Sequence, residues 1–126
     1  MSTVVDADVL IAVLRGSPDA IRVLAEARRQ DDRILSVTPV RVEVLRGVLP
    51  GEEVATSRLL GLLDWVPVDE ELADRAGDLG RLYRPSHPKI EVVDLLIAAA
   101  AERLGAEILT RNVRHFPMFP GLRPAF

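Results

Sequence analysis

The sequence predicts an α/β fold, a three-layer α/β/α sandwich built around a parallel sheet of short strands. Two observations lead to this prediction. Short apolar runs alternate with longer segments whose apolar residues recur at helical spacing, and helix-start or turn signals separate them. Such alternation favours parallel strands joined by right-handed helical crossovers. The chain has 126 residues, without an evident linker or internal repeat, so residues 1–126 are expected to form a single domain.

Helix-start signals locate the elements of the first half. Ser17-Pro18-Asp19 combines an N-cap residue, a proline at the first helical position and an acid in the first turn, and Thr38-Pro39 repeats the cap and the proline. Pro50-Gly51 interrupts the chain. The predicted elements are a strand at Thr3–Val5, a helix beginning within Val9–Leu14, a helix from Ser17 to about Arg29, a strand at Ile34–Val37, a helix from Thr38 to Gly47 that carries Glu43, and a helix at Glu52–Leu63 with Ala55, Leu59, Leu62 and Leu63 on its buried side.

The second half continues the alternation. Pro67 cannot donate a hydrogen bond to a ladder, so the strand Trp65–Val68 is predicted at the edge of the sheet. Asp69 is expected to cap the next helix, and Gly105 to end an alanine-rich helix that has Asp94 near its start. The remaining predictions are a buried helical stripe of Leu72, Ala76, Leu79 and Tyr83, a strand at Glu107–Thr110, and a last short strand near Ala125.

Composition excludes several classes of protein. Apolar residues make up 48% of the chain and charged residues 28%, which is typical of folded domains and not of disordered or membrane proteins. The absence of cysteine excludes disulfides and thiolate metal sites. No signal peptide is evident, and the longest uncharged apolar run, Leu95–Ala101, is too short to span a bilayer. A cytoplasmic protein without a membrane contact is therefore expected.

The charge pattern leaves nucleic-acid binding open. The net charge of −3 does not indicate it, but nearly every cation is an arginine, since Lys89 is the only lysine. The planar guanidinium suits phosphate groups or the carboxylates of a partner. A GC-rich genome would give the same arginine excess, so the bias alone does not decide between the two.

Three apolar segments each carry an acidic residue. Asp6 follows Val4-Val5 and precedes Asp8, Glu43 lies among valines and a leucine, and Asp94 follows a pair of valines. Carboxylates near a core are costly unless something compensates their charge. If the fold brings these three together, a divalent cation is the natural compensation. The pattern therefore indicates a metal-dependent hydrolase.

Polar residues recur at fixed places in four apolar stretches. The stretches are VDADVLI at 5–11, VEVLRG at 42–47, VDLLIAA at 93–99 and LTRNVRHF at 109–116. In order and spacing they resemble the PIN-domain nucleases, most closely the VapC-type toxins of bacterial toxin–antitoxin pairs. The resemblance implies a PIN-like, Rossmann-like fold and a metal-dependent endoribonuclease that acts as a toxin. It also implies a cognate VapB-type antitoxin, and a homodimer is expected on the same ground.

The resemblance assigns roles to individual residues. Asp6, Glu43 and Asp94 would bind Mg²⁺ or Mn²⁺ and, together with Asn112, form the catalytic set. Asn112 lies where many relatives carry a fourth acid, and its neutral amide can ligate a hard cation but adds no charge. Whether a second metal position is filled therefore stays open. Supporting roles are expected for Asp8 and Thr110, and contacts to RNA phosphates for Arg15, Arg46, Arg111 and Arg114.

The implied chemistry is hydrolysis of RNA phosphodiester bonds. Either Asp94 or Glu43 would orient the attacking water or accept its proton. A metal-assisted reaction needs no 2′-hydroxyl, so the expected products carry a 5′-phosphate and a 3′-hydroxyl.

Each acid also has a plain structural explanation. Asp6 and Asp8 could form an Asx turn that caps the first helix, and Asp94 could cap its own helix. Glu43 is too far from the Thr38 cap for this explanation, although an exposed helix face would accommodate it.

The histidines and large aromatic residues are expected to be structural. His87 and His115 are too far apart in sequence to suggest a zinc site, and His115 is expected to pack or hydrogen-bond in the last loop. Trp65 and Tyr83 are predicted to lie in the core.

Two other phosphate-handling folds fit the sequence less well. A phosphatase of the haloacid-dehalogenase type would use Asp6-Ala7-Asp8 and Thr110, but it needs a lysine after a strand and a late acid pair, whereas Lys89 lies between prolines. A signalling receiver would use Asp69 after the third strand, but it also needs a strand-end lysine and leaves Glu43 unexplained.

A third alternative is a PIN domain that has lost catalysis and serves as a binding module. The neutral Asn112 keeps this alternative open, and the three retained acids argue against it. A nuclease and a binding module should differ in their affinity for divalent metal ions, because a module without catalysis should show none that depends on Asp6 and Asp94.

Overall fold

The computed structural model describes residues 1–30 and 33–126, and in these residues it has six α-helices, four strands and one 3₁₀ turn. The elements are β1 (Ser2–Val5), α1 (Ala7–Leu14), α2 (Pro18–Gln30), β2 (Arg33–Val37), α3 (Thr38–Arg46), α4 (Glu53–Leu60), β3 (Asp64–Val66), α5 (Glu70–Tyr83), α6 (Val92–Leu104), β4 (Glu107–Leu109) and the 3₁₀ turn Val113–His115. None of these helices is both long and apolar enough to cross a lipid bilayer.

The strands form one parallel sheet in the order β3-β2-β1-β4. Helix α6 packs on β1, β2 and β4 and is covered by α5, while α2 and α3 pack on β2 and contact α1. The predicted α/β class is confirmed, because every neighbouring pair of strands is parallel and is connected through helices.

The register of the sheet places several chain segments at one edge. Val5 of β1 pairs with Leu109 of β4, so Asp6 and Thr110 follow the ends of neighbouring parallel strands. Helix α3 begins directly after Val37, the last residue of β2, at the same edge. Ligands of open parallel sheets gather at this carboxyl edge.

The core lies between the sheet and α6. The central strands contribute fully buried valines and leucines, and the run Ala98–Ala101 of α6 is buried as well. Small side chains let a helix lie close to its neighbours. Gly80 of α5 follows the same principle, because a Cβ at this position would come within 3.0 Å of Leu95 Cδ1 of α6.

The predicted buried face of α4 is partly wrong. The helix is Glu53–Leu60 and not Glu52–Leu63, and Ala55 and Leu62 are exposed. Thr56 is buried instead, because its hydroxyl donates to the Glu52 carbonyl at 2.7 Å and so needs no water.

The predicted third strand is displaced by one or two residues. Strand β3 is Asp64–Val66, so Pro67 lies just beyond it, and the strand is at the edge of the sheet as predicted. Trp65 is half-buried, and its indole Nε1–H donates to the Leu60 carbonyl at 2.9 Å. Tyr83 is half-buried and packs against the core.

Two local predictions differ from the structure. Thr38 does not cap α3, because the helix follows β2 without a loop and Val37 takes the N-cap position, with Pro39 in the first turn. No strand forms around Ala125; its backbone N–H makes a single hydrogen bond of 2.7 Å to the Thr110 carbonyl, which ties the C-terminal segment to the end of β4.

Candidate active site

The three predicted acids and Asp8 meet at the carboxyl edge of the sheet. A cavity of about 160 Å³ opens there. Its walls are Asp6, Asp8, Glu43, Glu91, Val93, Asp94, Asn112 and His115. Residues separated by up to about a hundred positions in the chain thus share one small space, as the alternation of strands and helices predicts.

Asp6 is fixed by two hydrogen bonds at the junction of β1 and α1. Its Oδ1 accepts from the Ala7 N–H at 2.7 Å, which makes it the N-cap of α1, and its Oδ2 accepts from the Thr110 hydroxyl at 2.7 Å. Asp6 therefore caps α1, as its structural explanation predicted, and it also lines the cavity. Burial, and next the negative charge of Asp8, raise the pKa of Asp6 to about 7 despite both hydrogen bonds.

Thr110 connects Asp6 to the segment after β4. It is fully buried, and its hydroxyl oxygen also accepts from the Asn112 N–H at 3.0 Å. One hydroxyl thus holds the carboxylate that follows β1 and the backbone that carries Asn112.

Asp8 lies in the first turn of α1 and carries an unpartnered oxygen. Its Oδ2 accepts from the Arg111 backbone N–H at 3.0 Å. Its Oδ1 is buried and, within the part of the chain that the structure describes, has no hydrogen-bond partner. Burial raises the pKa of Asp8, and the Arg111 N–H opposes that shift. An unpartnered buried oxygen is costly, and a bound cation would satisfy it.

Asp94 forms a capping box at the start of α6. Its Oδ2 accepts from the Glu91 N–H at 2.9 Å, while the Glu91 carboxylate accepts from the backbone at Asp94. The same Oδ2 lies 2.8 Å from Nδ1 of His115. Burial raises the pKa of Asp94, whereas the Glu91 N–H and His115 act in the opposite direction.

Glu43 comes to the cavity from the middle of α3. It is half-buried, although its neighbours Val42 and Leu45 are exposed. Burial raises the pKa of Glu43, and Arg46 one turn later opposes this effect. The side chain therefore turns toward the other acids, and the fully exposed alternative does not apply.

His115 is a cavity residue that the sequence analysis did not place in the site. It lies in the 3₁₀ turn and, besides Asp94, its Nδ1 lies 3.0 Å from the amide nitrogen of Asn112. The expectation that it hydrogen-bonds in the last loop is confirmed, but its partners are residues of the candidate site. The only sequence signal was its place three residues after Asn112.

The four predicted RNA-contacting arginines differ in their surroundings. Arg15 is paired with Glu52 at 2.8 Å and also donates to the Gly47 carbonyl. The Arg111 guanidinium lies over the ring of Phe126, 4.7 Å from its centroid. Arg46 is exposed on α3, and Arg114 is exposed beside a second cavity. Their roles in RNA binding stay predictions.

The chemistry of the cavity fits a hard divalent cation. Its donors are carboxylate and amide oxygens, which Mg²⁺ and Mn²⁺ prefer, and it holds the unpartnered oxygen of Asp8. Within residues 1–30 and 33–126, no three acidic or histidine side chains already stand in an arrangement that holds an ion.

Comparison with known families decides the membership of this chain. The sequence model of the PIN domain matches residues 3–119. The chain belongs to the PIN-domain family. The resemblance stated from the four motifs is thereby confirmed.

This PIN domain is also similar to individual proteins of the VapC type. It is 42% identical over 122 residues to ribonuclease VapC19 of Mycobacterium tuberculosis, covering 97% of this chain and 98% of that protein. It is 43% identical over 122 residues to ribonuclease VapC10 of the same species, covering 97% and 91%. Similarity at this level over nearly full length places the PIN domain within the VapC group.

Solved structures agree with this fold. The PIN domain superposes on a chain of a toxin–antitoxin complex from Klebsiella pneumoniae with a TM-score of 0.77 and 21% identity, covering 100% of this chain and 98% of that chain. A chain of VapBC2 from Rickettsia felis, bound to a DNA fragment from their promoter, gives the same TM-score and identity over 98% of this chain and 97% of that one. At this identity the likeness concerns the fold.

Proposed function

We propose that this PIN domain is a metal-dependent endoribonuclease, the toxin of a two-component module that a VapB-type antitoxin neutralises. The observation that carries the proposal is the cavity in which Asp6, Asp8, Glu43 and Asp94 meet, in a chain 42% identical to ribonuclease VapC19 over 97% of its length. A cavity lined by five carboxylates, these four and that of Glu91, is unfavourable unless their charge is compensated.

Mg²⁺ or Mn²⁺ is the proposed cofactor, held by Asp6, Glu43 and Asp94. When bound, such an ion polarises a phosphoryl oxygen and lowers the pKa of water. The protein's part is to hold the ligands: Thr110 orients Asp6, and the Glu91 N–H and His115 orient Asp94. Glu43 has no such fixed partner among the described residues and is the side chain best able to take a proton from the attacking water.

Asp8 is proposed to replace the fourth acid that the neutral Asn112 does not supply. The amide nitrogen of Asn112 lies within hydrogen-bond distance of the His115 ring, whereas Asp8 Oδ1 is unpartnered and belongs to a cavity wall. Asp8 would therefore supply the negative charge that Asn112 lacks, from a position next to the same segment, since its Oδ2 accepts from the N–H of Arg111.

The proposed partners follow from the relatives. The superposed structures from Klebsiella pneumoniae and Rickettsia felis are toxin–antitoxin complexes, which supports an antitoxin of the VapB type for this chain. A homodimer is proposed on the family resemblance alone, and light scattering of the purified protein measures it directly.

RNA cleavage by the purified protein tests the proposed activity. Wild type and Asp94→Asn are incubated with a mixture of transfer, ribosomal and messenger RNA, with Mg²⁺, with Mn²⁺ or with a chelator. Cleavage should require metal, leave 5′-phosphate ends, and fall at least 100-fold in the variant, because a lost site carboxylate removes part of the transition-state stabilisation.

The control variant is Asp74→Asn, which alters an exposed acid of α5 outside the cavity. It should cleave as wild type does. Equal cleavage by wild type and Asp94→Asn, or cleavage in the presence of chelator, would contradict the proposal. Without any cleavage, the reading of the chain as a binding module would gain support.

A further inference from the structure

Two larger cavities adjoin the acidic cavity on the side of the loop after α5. The first has a volume of about 730 Å³ and shares Glu91, Val93 and His115 with the acidic cavity. The second, of about 390 Å³, shares Asn112 and His115 with it. The segment Pro88–Ile90 separates the two. We call these two cavities together the loop groove; it adjoins the acidic cavity at His115, which lines all three cavities.

The loop groove carries three cations and one acid, Glu91. Arg84 and Lys89 line its first cavity, and Lys89 and Arg114 line the second. All three side chains are exposed, and none forms an ion pair within residues 1–30 and 33–126. On the opposite side of the acidic cavity, Arg15 is already paired with Glu52. Arg46 of α3 and Arg111 are further exposed cations without an ion pair among the described residues, and the loop groove adds three more beside the site, which can meet the phosphate groups of a bound strand.

The surface between these cations is apolar. Ile90 is buried beneath it, Pro88 is exposed, and Val92 is 68% exposed although it is a large aliphatic residue. His87 adds a ring whose Nδ1 lies 2.8 Å from the Ser86 hydroxyl. Apolar surface and a ring suit the faces of unstacked bases, which a duplex hides and a single strand exposes.

We propose that the loop groove binds the single-stranded RNA that flanks the bond to be cleaved. Lys89, Arg84 and Arg114 contact its phosphates, and its bases lie on Pro88 and Val92. The inference rests on the proposed ribonuclease function, since the groove adjoins the acidic cavity. An acidic protein segment could also pair with these cations, but its carboxylates would make no contact with the apolar surface beside the site, whereas RNA bases would.

Fluorescence anisotropy tests the groove with a labelled single-stranded RNA of mixed sequence and twelve nucleotides. All proteins carry Asp94→Asn to prevent cleavage, and magnesium is kept constant. The triple change Arg84→Ala, Lys89→Ala and Arg114→Ala should weaken RNA binding at least 10-fold. The slope of log affinity against log salt should become less steep by about 2, since each phosphate contact on a single strand contributes about 0.7.

The matched control is Arg28→Ala with Arg29→Ala. These two exposed arginines end α2, which precedes the amino end of β2, so they lie at the edge of the sheet opposite the site. This variant should bind RNA as the parent does. Thermal unfolding of every variant verifies that the fold is retained.

Two results would overturn the inference. The first is that the triple variant has the same RNA affinity and salt slope as its parent, while the protein with Asp94 intact still cleaves RNA. This result would show that the groove does not bind RNA and would not contradict the proposed ribonuclease function. The other is loss of binding to an oligo-glutamate peptide but not to RNA, which indicates an acidic protein segment instead. If the protein with Asp94 intact neither binds nor cleaves RNA, the proposed function fails as well.

Discussion

Asp6 does two things at once, and this double role shapes its electrostatics. Its carboxylate caps α1 and accepts from Thr110, yet burial and the neighbouring Asp8 charge raise its pKa to about 7. Without a bound cation, ionisation of this buried acid lowers the free energy of unfolding. The same side chain is therefore where structure and proposed metal binding are most directly linked.

The metal-free protein should lose stability as the pH rises from about 4 to about 7. The pKa of Asp6 is about 7 in the folded chain against an ordinary 3.8, so the folded state holds the proton more tightly across this window. Unfolding releases that proton, which lowers the free energy of unfolding as pH increases and has no further effect above the folded pKa. Between pH 5 and pH 7 this one group should cost about 2 to 3 kcal/mol.

Urea unfolding in the presence of chelator measures this effect. Asp6→Asn should remove that part of the pH dependence, whereas Asp19→Asn, an exposed acid at the start of α2, should retain it. Identical pH profiles for wild type and Asp6→Asn would show that Asp6 is not the group responsible.

At the scale of single residues, the sequence indicated the three acids, and the family resemblance added Asp8 and Thr110, but neither gave His115 a role in the site. Asp6, Glu43 and Asp94 interrupt apolar runs, and this conflict made them visible. His115 interrupts nothing, since it lies in a loop. Its contact with Asp94 arises only because β4 pairs beside β1 and brings the following turn next to the start of α6.

At the scale of elements, two glycines differ in whether the backbone requires them. Gly105 ends α6 in the left-handed region, with φ of 61°. Gly77 lies within α5, and a Cβ there would meet no atom within 4 Å. The first position needs glycine for its backbone conformation, and the second does not.

Alanine substitutions at these glycines should therefore change stability in opposite directions. Gly105→Ala should lower the free energy of unfolding by about 1 kcal/mol, because a Cβ is strained at positive φ. Gly77→Ala should raise it by about 0.5 to 1 kcal/mol, since glycine is a poor residue within a helix. Urea unfolding at constant pH compares the two, and a loss in Gly77→Ala similar to that in Gly105→Ala would contradict this account.

Elements with one dominant signal were predictable, and those with competing signals were not. The order of strands and helices along the chain followed from periodicity, and the edge position of β3 was predicted from Pro67, although Pro67 lies just beyond that strand. The buried face of α4 could not be predicted in this way, because threonine is a polar residue and is expected to be exposed. Thr56 can be buried because its hydroxyl donates a hydrogen bond to the Glu52 carbonyl one turn earlier. In α3, the expected Thr38 cap was replaced by a direct continuation from β2.

At the scale of the whole molecule, the fold brings negative charge to the cavity and positive charge to the surface beside it. Five carboxylates line the cavity at the carboxyl edge of the sheet, while Arg84, Lys89 and Arg114 line the adjoining loop groove. In the proposed function, the cations of the loop groove hold the RNA, and a metal ion in the cavity offsets the charge of the acids where the bond is cleaved. Metal binding is therefore the step on which cleavage is proposed to depend.

Isothermal titration of metal-free protein with Mn²⁺ tests this central claim most directly. Wild type and Asp74→Asn should bind the ion equally well. Asp94→Asn should bind it at least 10-fold more weakly, since mutating even a residue that only hydrogen-bonds to a metal ligand costs about 10- to 100-fold in affinity. Wild-type protein that binds no Mn²⁺, or that binds it no better than Asp94→Asn does, would contradict the account.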